Sequence, residues 1–366
     1  MSVRWPIAYR DPLRGTIERP LGGRRDHWGP MQSAPRFTQR GRAQRALSIA
    51  LVAVAAVLLL AAVLLPNAGG GSLPVLYLLV AFRPLFLICI TAFAFVVGVL
   101  GVVLRWRWPA LVAIAVVVAV GTSVAVPAAE RSPSVEPSHV AASDTGALRV
   151  LEWNTDQQDV DATTIRALIE QTNPNIVVLP EYFTQVAKGT LAAVAKQRDM
   201  QILGSIDSAA TVMVSRSLGD YKVDDRDTPP WAGFVAVPAD LSSPRLVIAH
   251  LQRPDITSTA LWRRHIRWAR KQCKGNALAI GDFNATTDNI SPSHTLGQCV
   301  DSATALGQRP QGTWPTALPA WLGATIDHVF AGPSWRPAAF SVLHGLDQAG
   351  ADHRPTFAVL VPARVR

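Results

Sequence analysis

Hydrophobic residues are concentrated in the first third of this 366-residue chain. Three long runs, 46–65, 85–104 and 109–126, contain almost no polar side chains. The first two are 20 residues long, and a helix of that length matches the roughly 30 Å hydrocarbon core of a bilayer. The pattern therefore predicts a region of three transmembrane helices over 46–126.

From residue 148 onward, short apolar runs alternate with polar turns. The predicted strands are 148–153, 176–179, 201–203, 211–214, 233–237, 245–249, 277–280, 324–330 and 356–361. Apolar residues at helical spacing predict helices over 162–171 and 257–274. Many strands with few helices favour an α/β (α+β) sandwich of two sheets over a strictly alternating, doubly wound sheet.

Composition divides the chain into four parts. Residues 1–45 carry ten Arg against three acidic residues without apolar periodicity, which predicts a disordered basic tail before the transmembrane region. Residues 127–147 are rich in Pro and Ser and are predicted to form a linker. The remaining domain, 148–366, has 21 Lys and Arg against 20 Asp and Glu. The overall charge of +9 therefore belongs to the membrane-flanking residues and does not indicate nucleic-acid binding.

The distribution of Arg also predicts the orientation in the cell membrane. Positively charged loops stay in the cytoplasm, which places the tail and the hairpin 105–108 there. Three spans then put residues from 127 onward outside the cytoplasm. A disulfide between Cys273 and Cys299 is chemically permitted in that compartment, with two buried thiols as the alternative.

Polar residues follow several predicted strands, and two more lie near the C-terminus. They are Asn154, Glu181, His250, Asp282, Asn284, Asp327, Asp352 and His353. Strand ends on one edge of a sheet form a rigid, open site. Carboxylates there can hold a hard cation, and histidines can donate hydrogen bonds or move protons. Such a set suits phosphoester hydrolysis, which needs charge neutralisation and an activated water.

The motifs around these residues resemble the endonuclease/exonuclease/phosphatase family, which includes DNase I-like nucleases and phosphatases. They read LEWNT, PEYF, IAHL, GDFNA, TIDHVF and ADHRP, in that order, within 148–362. The resemblance implies a DNase I-like two-sheet sandwich that hydrolyses phosphoesters with Mg²⁺ (or Mn²⁺). It further implies that Glu181 binds the metal, that Asn154 supports this site and that Asp352 lies in the metal and phosphate cluster.

The resemblance also implies catalytic roles. Asp282 would position or deprotonate the attacking water, and Asn284 would orient the phosphate. Asp327 would pair with His353, which would contact the scissile phosphate. His250 would act as a second histidine on the phosphate or leaving-group side, although the sequence does not identify its partner.

Three functions remain open at this point. The first is a membrane-anchored phosphoesterase that acts outside the cytoplasm on a lipid headgroup or a small phosphoester. The second is an extracytoplasmic nuclease, and the third is a catalytically silent binding domain. The basic face of the predicted helix 257–274 could bind phosphates of nucleic acid or lipid, or could simply be solvated. The expected partners are thus a phosphoester substrate and the lipid bilayer.

Overall fold

The computed structural model describes residues 76–103, 146–291, 293–308 and 311–363, with a few single residues between 46 and 113. Four predicted regions lie wholly or almost wholly outside the described residues. They are the tail 1–45, the spans 46–65 and 109–126, and the linker 127–147. Helix α1 (Leu76–Ala81) is followed by helix α2 (Arg83–Val103), which covers most of the second predicted span. Among the described residues, no helix is both long enough and apolar enough to cross a membrane, so the structure does not support the predicted transmembrane helices.

The residues from 148 onward form two stacked sheets. The first sheet has the order β12-β13-β1-β2-β4-β3. Its strands are β1 (Leu148–Glu152), β2 (Ile176–Pro180), β3 (Met200–Leu203), β4 (Ala210–Ser215), β12 (Trp335–Val342) and β13 (Thr356–Pro362). Strands β1 and β2 run parallel, whereas β1 and β13 run antiparallel.

The second sheet has the order β5-β6-β7-β8-β11-β10-β9. Its strands are β5 (Tyr221–Asp224), β6 (Gly233–Pro238), β7 (Leu246–His250), β8 (Leu278–Asp282), β9 (Thr295–Leu296), β10 (Cys299–Asp301) and β11 (Asp327–Ala331). Strands β7 and β8 are parallel, and β11 pairs with β8 in the antiparallel direction. The predicted two-sheet architecture is therefore correct.

Helices cover the outer faces of both sheets. They are α3 (Ala162–Thr172), α4 (Thr184–Thr190), α5 (Ala192–Gln197), α6 (Thr259–Gln272) and α7 (Thr287–Ile290). The short helix α8 (Ser302–Ala305) instead packs Ala303 against the core between the sheets. Because each sheet is covered on both sides, its strands bury alternate residues in different cores. Val150 of β1 packs between the sheets, whereas Leu151 packs towards the helices on the other face. This double burial explains why the strands read as continuous apolar runs.

The sequence missed several elements. Strand β5 is a short edge strand with polar residues, and β12 contains Pro337 next to a break in its register. Helices α4 and α5 are each too short to show clear apolar periodicity. The predicted strand 324–330 begins only at Asp327, because Ala324 instead forms an isolated bridge with Trp314.

Cys273 and Cys299 form a disulfide, with their Cα atoms 5.7 Å apart. Cys273 caps the C-terminal end of α6 and Cys299 begins β10, so the bond fastens the helical layer to the second sheet. Both residues are buried, whereas Cys89 of α2 is exposed and free.

We expect the double substitution Cys273→Ser and Cys299→Ser to lower the free energy of unfolding by about 3 kcal/mol, because the bond restricts a loop closed over 26 positions. Denaturant unfolding under non-reducing conditions measures this difference. The control variant Cys89→Ser should unfold like the wild type. Equal stability of the double variant and the wild type would contradict the prediction.

Candidate active site

Strand register places three of the predicted residues side by side at one edge of the second sheet. His250 at the end of β7 lies opposite Asp282 at the end of parallel β8. Asp327 at the start of antiparallel β11 also lies opposite Asp282. Asp282 therefore stands between a histidine and a second carboxylate, because three neighbouring strands end or begin at the same level.

The end of β8 and the loop after it have a backbone shape that only certain residues accept. Gly281 has a φ of +135°, and a Cβ atom there would lie 2.0 Å from the carbonyl oxygen of Ala249. Asn284 has a φ of 47°, a left-handed conformation that Asn tolerates better than most residues. Its backbone N–H donates to Asp282 Oδ1 at 2.7 Å, and its side chain donates to Leu251 O at 2.9 Å. The Gly-Asp-Phe-Asn sequence thus fixes the position of the Asp282 carboxylate.

A buried histidine and a buried aspartate form the deepest pair of the site. His353 Nδ1 lies 2.8 Å from Asp327 Oδ2, so the Nδ1 proton is held by the carboxylate. Burial acts to lower the pKa of His353, but the negative charge of Asp327 outweighs it and raises that pKa to about 10. The indole of Trp153 also donates to the carbonyl oxygen of His353 at 3.0 Å. The imidazole is therefore held in place and protonated at neutral pH.

Glu152 lies behind this pair and was not predicted. It is fully buried, and its Oε2 accepts a hydrogen bond from the Thr356 hydroxyl at 2.8 Å. Glu152 Oε1 and Asp327 Oδ1 have no donor among the described residues, yet the two carboxyl groups lie within hydrogen-bonding reach of each other. Burial and the charge of Asp327 raise the pKa of Glu152 well above its usual range. A protonated Glu152 can therefore donate to Asp327 and satisfy both oxygens.

Asn154 connects the two sheets at the site. Its Nδ2 donates to Glu181 Oε1 at 3.2 Å and to Asp282 Oδ2 at 3.0 Å. Its Oδ1 accepts from the backbone N–H of Asp156 at 3.0 Å, which fixes the orientation of the amide. Asn154 thus orients two carboxylates, which is a supporting position next to the predicted metal ligand Glu181.

The structure supplies the missing partner of His250. His250 Nε2 lies 3.3 Å from Glu181 Oε1. The bond from His250, with help from Asn154 and the backbone N–H of Gln157, lowers the pKa of Glu181 to about 2 despite partial burial. Glu181 itself has a φ of 59°, an uncommon backbone conformation for a residue with this side chain. Its carboxylate is therefore ionised and directed into the site by a strained turn after β2.

Two groups of side chains could hold a cation. Metal-binding atoms of Asp282, Asp327 and His353 all lie within 4.8 Å of one another and are buried. More open carboxylates belong to Glu181, Asp352 and Asp156, although their oxygen atoms do not form so tight a group. Burial raises the pKa of Asp156, and the negative charges of Asp352 and Glu181 raise it further. Oxygen donors with access to water suit Mg²⁺, and these three carboxylates offer such donors beside the buried group.

Asp352 and the loop 311–326 are linked through Trp314. The Trp314 indole N–H donates to Asp352 Oδ2 at 2.7 Å, and the indole ring centre lies 6.5 Å from that of His353. Arg354, although buried, binds Asp347 at 2.7 Å and donates to carbonyl oxygens of the same loop. The Asp-His-Arg run thus joins two site residues to an arginine that shapes the neighbouring loop.

A second buried histidine supports the loop after β8. His328 Nδ1 lies 2.9 Å from Asp301 Oδ1, and its Nε2 lies 2.9 Å from the carbonyl oxygen of Ala285. Both ring nitrogens face acceptors, so the ring needs a proton on each to satisfy them. Burial opposes this charge, but the Asp301 bond raises the pKa of His328 above its usual value. A buried ion pair therefore holds the end of the loop that carries Asp282 and Asn284.

All eight predicted site residues gather at this edge of the sandwich. The predicted pairing of Asp327 with His353 is present, and Asp282 lies between it and the Glu181–His250 pair. The residues that sequence analysis missed are Glu152, Asp156, Trp314, Asp301 and His328. Glu152 lies two residues before Asn154 and His328 directly follows Asp327, both in buried strands, and this proximity was the available indication.

Comparison with known families identifies the fold. Residues 151–353 match the Endonuclease/Exonuclease/phosphatase family. The chain belongs to this family. Its fold is therefore of a kind consistent with metal-dependent phosphoester hydrolysis. No curated protein matches the chain.

Several solved structures have a similar fold at low sequence identity. The endonuclease/exonuclease/phosphatase from Bacteroides vulgatus is 16% identical with a TM-score of 0.47, covering 60% of this chain and 100% of its own. The protein of that family from Beutenbergia cavernae is also 16% identical, with a TM-score of 0.46 and coverages of 60% and 72%. D. rerio TDP2 complexed with a single-strand DNA product is 17% identical, with a TM-score of 0.46 and coverages of 59% and 99%.

We expect Glu152→Gln to preserve activity and stability, because a neutral amide can still donate to Asp327 and accept from Thr356. Glu152→Ala leaves Asp327 Oδ1 without a donor and opens a cavity, and should lower the free energy of unfolding by about 2–4 kcal/mol. Denaturant unfolding and steady-state kinetics measure both effects. If the Gln variant is as damaged as the Ala variant, Glu152 is ionised in the native protein.

The pH dependence of kcat/KM should have two limbs. Burial and the charge of Asp327 raise the pKa of Asp282, so activity should fall as the pH drops through this raised value and the carboxylate becomes protonated. Activity should also fall above about pH 10, where His353 loses its proton. A pH series with a soluble phosphoester measures both limbs. An alkaline limb near neutrality that disappears in His353→Gln would contradict the protonated state assigned here.

Proposed function

We propose that this chain is a Mg²⁺-dependent phosphoesterase that hydrolyses phosphodiester or phosphomonoester bonds by attack of water. The observation that carries the proposal is the position of Asp282 between two histidine–carboxylate pairs. Asp327 with His353 lies on one side and Glu181 with His250 on the other. A structural role would not require this concentration of buried charge at one open edge.

The donor chemistry of the site fits a hard divalent cation. Glu181, Asp352 and Asp156 offer carboxylate oxygens, and the first two are partly open to solvent. Glu181 is fully ionised at neutral pH, as a metal ligand must be. A bound Mg²⁺ supplies charge neutralisation of the substrate phosphate.

The chain's own residues supply proton transfer and orientation. The Asp282 carboxylate accepts hydrogen bonds from the N–H groups of Asn154 and Asn284, which orient it towards the site. Its raised pKa makes it a stronger base than an exposed aspartate, so it can remove a proton from the attacking water.

The histidines complement the negative charge of the phosphate. His353 carries a proton on Nε2 while its Nδ1 is held by Asp327, so Nε2 can donate to a phosphate oxygen. Asp352 Oδ1 lies 3.6 Å from the same Nε2 and would have to give way to that oxygen. His250, held at Glu181, lies on the other side of Asp282 and is suited to the leaving group.

We further propose that the enzyme is a multi-pass protein of the cell membrane, with a cytoplasmic N-terminus and the catalytic domain outside the cytoplasm. The apolar runs and the ten Arg of residues 1–45 support this orientation. The disulfide between Cys273 and Cys299 is compatible with an oxidising compartment and would be unusual in a reducing one.

The direct test measures hydrolysis of bis-p-nitrophenyl phosphate, p-nitrophenyl phosphate and plasmid DNA by the full-length protein, with Mg²⁺ and with EDTA. Activity should require the metal and should fall about 10²–10⁴-fold in Asp282→Ala, because the general base is lost. Asp240→Ala removes an exposed carboxylate that hydrogen-bonds with neighbouring Ser242, away from the site, and serves as the matched control. Metal-independent activity, or equal activity of the two variants, would remove the basis for the proposal.

Salt dependence separates a nuclease from an enzyme of small or lipid phosphoesters. Binding of a polyanion weakens steeply with salt in proportion to the phosphates contacted. The near-neutral domain predicts a shallow dependence of KM on salt. A steep dependence with plasmid DNA as the preferred substrate would instead assign a nuclease.

A further inference from the structure

Four large apolar side chains protrude into solvent from the loops around the candidate active site. Their side chains are exposed by 96% for Ile206, 79% for Ile256, 61% for Trp321 and 59% for Trp231. We call these four residues the apolar rim. Side chains of this type are usually buried, and several exposed together around one site indicate a contact surface.

Two members of the apolar rim lie on the side of Glu181 and His250. Ile206 belongs to the loop between β3 and β4, and Ala209 of that loop accepts the backbone N–H of Glu181. Trp231 donates its backbone N–H to Asp207 of the same loop, and Ala232, the residue after Trp231, accepts the N–H of His250. Ile206 and Trp231 therefore stand next to these two active-site residues.

The other two members belong to two further loops next to the site. Ile256 lies in the loop that connects His250 to α6. Trp321 lies in the loop 311–326, where Trp314 holds Asp352 through its indole. The four side chains thus come from four loops, and each of these loops adjoins or contacts a residue of the candidate active site.

Helices α1 and α2 meet the domain at the same edge. The ring of Phe82, between the two helices, lies 5.8 Å from that of Trp314. Asn289 of α7 donates to Tyr77 O at 3.1 Å, and Arg83 pairs with Asp288 at 3.9 Å. Beyond this contact, α2 exposes Phe93, Phe95, Val99 and Val103 to its surroundings. The apolar surface of α2 therefore begins beside the loop 311–326, which carries Trp321 of the apolar rim.

We propose that the apolar rim inserts into a lipid bilayer and that the phosphoester substrate is a lipid headgroup presented at that surface. This inference rests on the phosphoesterase activity proposed above. Burying aliphatic and indole side chains in the bilayer interface removes apolar area from water. Trp in particular prefers the level of the headgroups. The substrate phosphate would then meet the site without leaving the bilayer.

The chemistry of the rim favours lipid over nucleic acid. Ile206 and Ile256 are the most exposed members, and aliphatic side chains do not stack on bases as aromatic rings do. The net charge of residues 148–366 is only +1, which provides little attraction for a polyanion. Arg253 is exposed on the same loop as Ile256 and is placed to contact a headgroup phosphate.

The test places an environment-sensitive fluorophore on the rim of the full-length protein. Cys89 is first replaced by Ser, since Cys273 and Cys299 are bonded to each other. Ile256→Cys and Ile206→Cys are then labelled, and the protein is reconstituted in vesicles of phosphatidylcholine and phosphatidylglycerol. We expect a blue shift of the emission and quenching by lipids that carry a bromine or nitroxide on the acyl chain.

Leu241→Cys is the matched control. Leu241 is 82% exposed, but its carbonyl oxygen accepts from Asn276 near the start of β8, at the opposite edge from Asp282. The fluorophore at position 241 should be quenched by soluble quenchers and not by the labelled lipids. Rim labels that behave like the label at Leu241 would overturn the proposal.

Kinetics separate this proposal from the proposed function. In the double variant Ile206→Ser and Ile256→Ser, the ratio of kcat/KM on a phospholipid in vesicles to kcat/KM on bis-p-nitrophenyl phosphate should fall at least tenfold, whereas Leu241→Ser should leave it unchanged. If the soluble ester is hydrolysed but the ratio does not fall in the double variant, the proposed insertion into lipid is wrong, whereas the proposed phosphoesterase activity is unaffected. If the wild type hydrolyses neither the soluble ester nor the lipid, the proposed function fails. A loss of DNA hydrolysis in Trp231→Ala, with an unchanged lipid ratio, would assign the rim to nucleic acid and also overturn the proposal.

Discussion

The buried imidazolium of His353 is the interaction on which this site depends. Three carboxyl groups, from Glu152, Asp282 and Asp327, lie out of contact with solvent at the edge between the two sheets. Several like charges cannot be buried together without compensation, because desolvation disfavours each of them. The cation of His353 compensates one charge, and protonation of Glu152 removes another. The third carboxylate, Asp282, keeps an elevated pKa, and this unrelieved cost suits it to the proposed role of base.

The two sheets contribute unequally to this arrangement. The second sheet provides a row of side chains by register alone, since His250, Asp282 and Asp327 are paired neighbours. The first sheet provides the residues that complete it, with Asn154 and Glu181 in the turns after β1 and β2. The amide of Asn154 makes the connection between the sheets. The site therefore exists only when the sheets are stacked, which ties its geometry to the packing of the central core.

Sequence patterns were sufficient for the strands and for the residues that follow them. Buried strands are recognisable by apolar runs, and motif residues such as Asp282 stand at their ends. Glu152 could not be assigned, because a carboxyl group inside a strand normally indicates an exposed face. The partner of His250 was equally hidden, since Glu181 lies far away in sequence and reaches it only through the left-handed turn after Pro180. Long-range pairs of this kind depend on how the sheets stack, which local patterns do not contain.

The disulfide has a topological consequence for the catalytic loop. Asp282, Asn284 and the whole of α7 lie between Cys273 and Cys299 in sequence, and so belong to a covalently closed ring. A single cut in the polypeptide within this ring, for example in the exposed turn near His294, would not release either fragment. The strands β11 and β13 on one side of the cut would stay tethered to β7 and β8 on the other. Because of this closure, the two halves of a molecule cut once within the ring remain covalently joined.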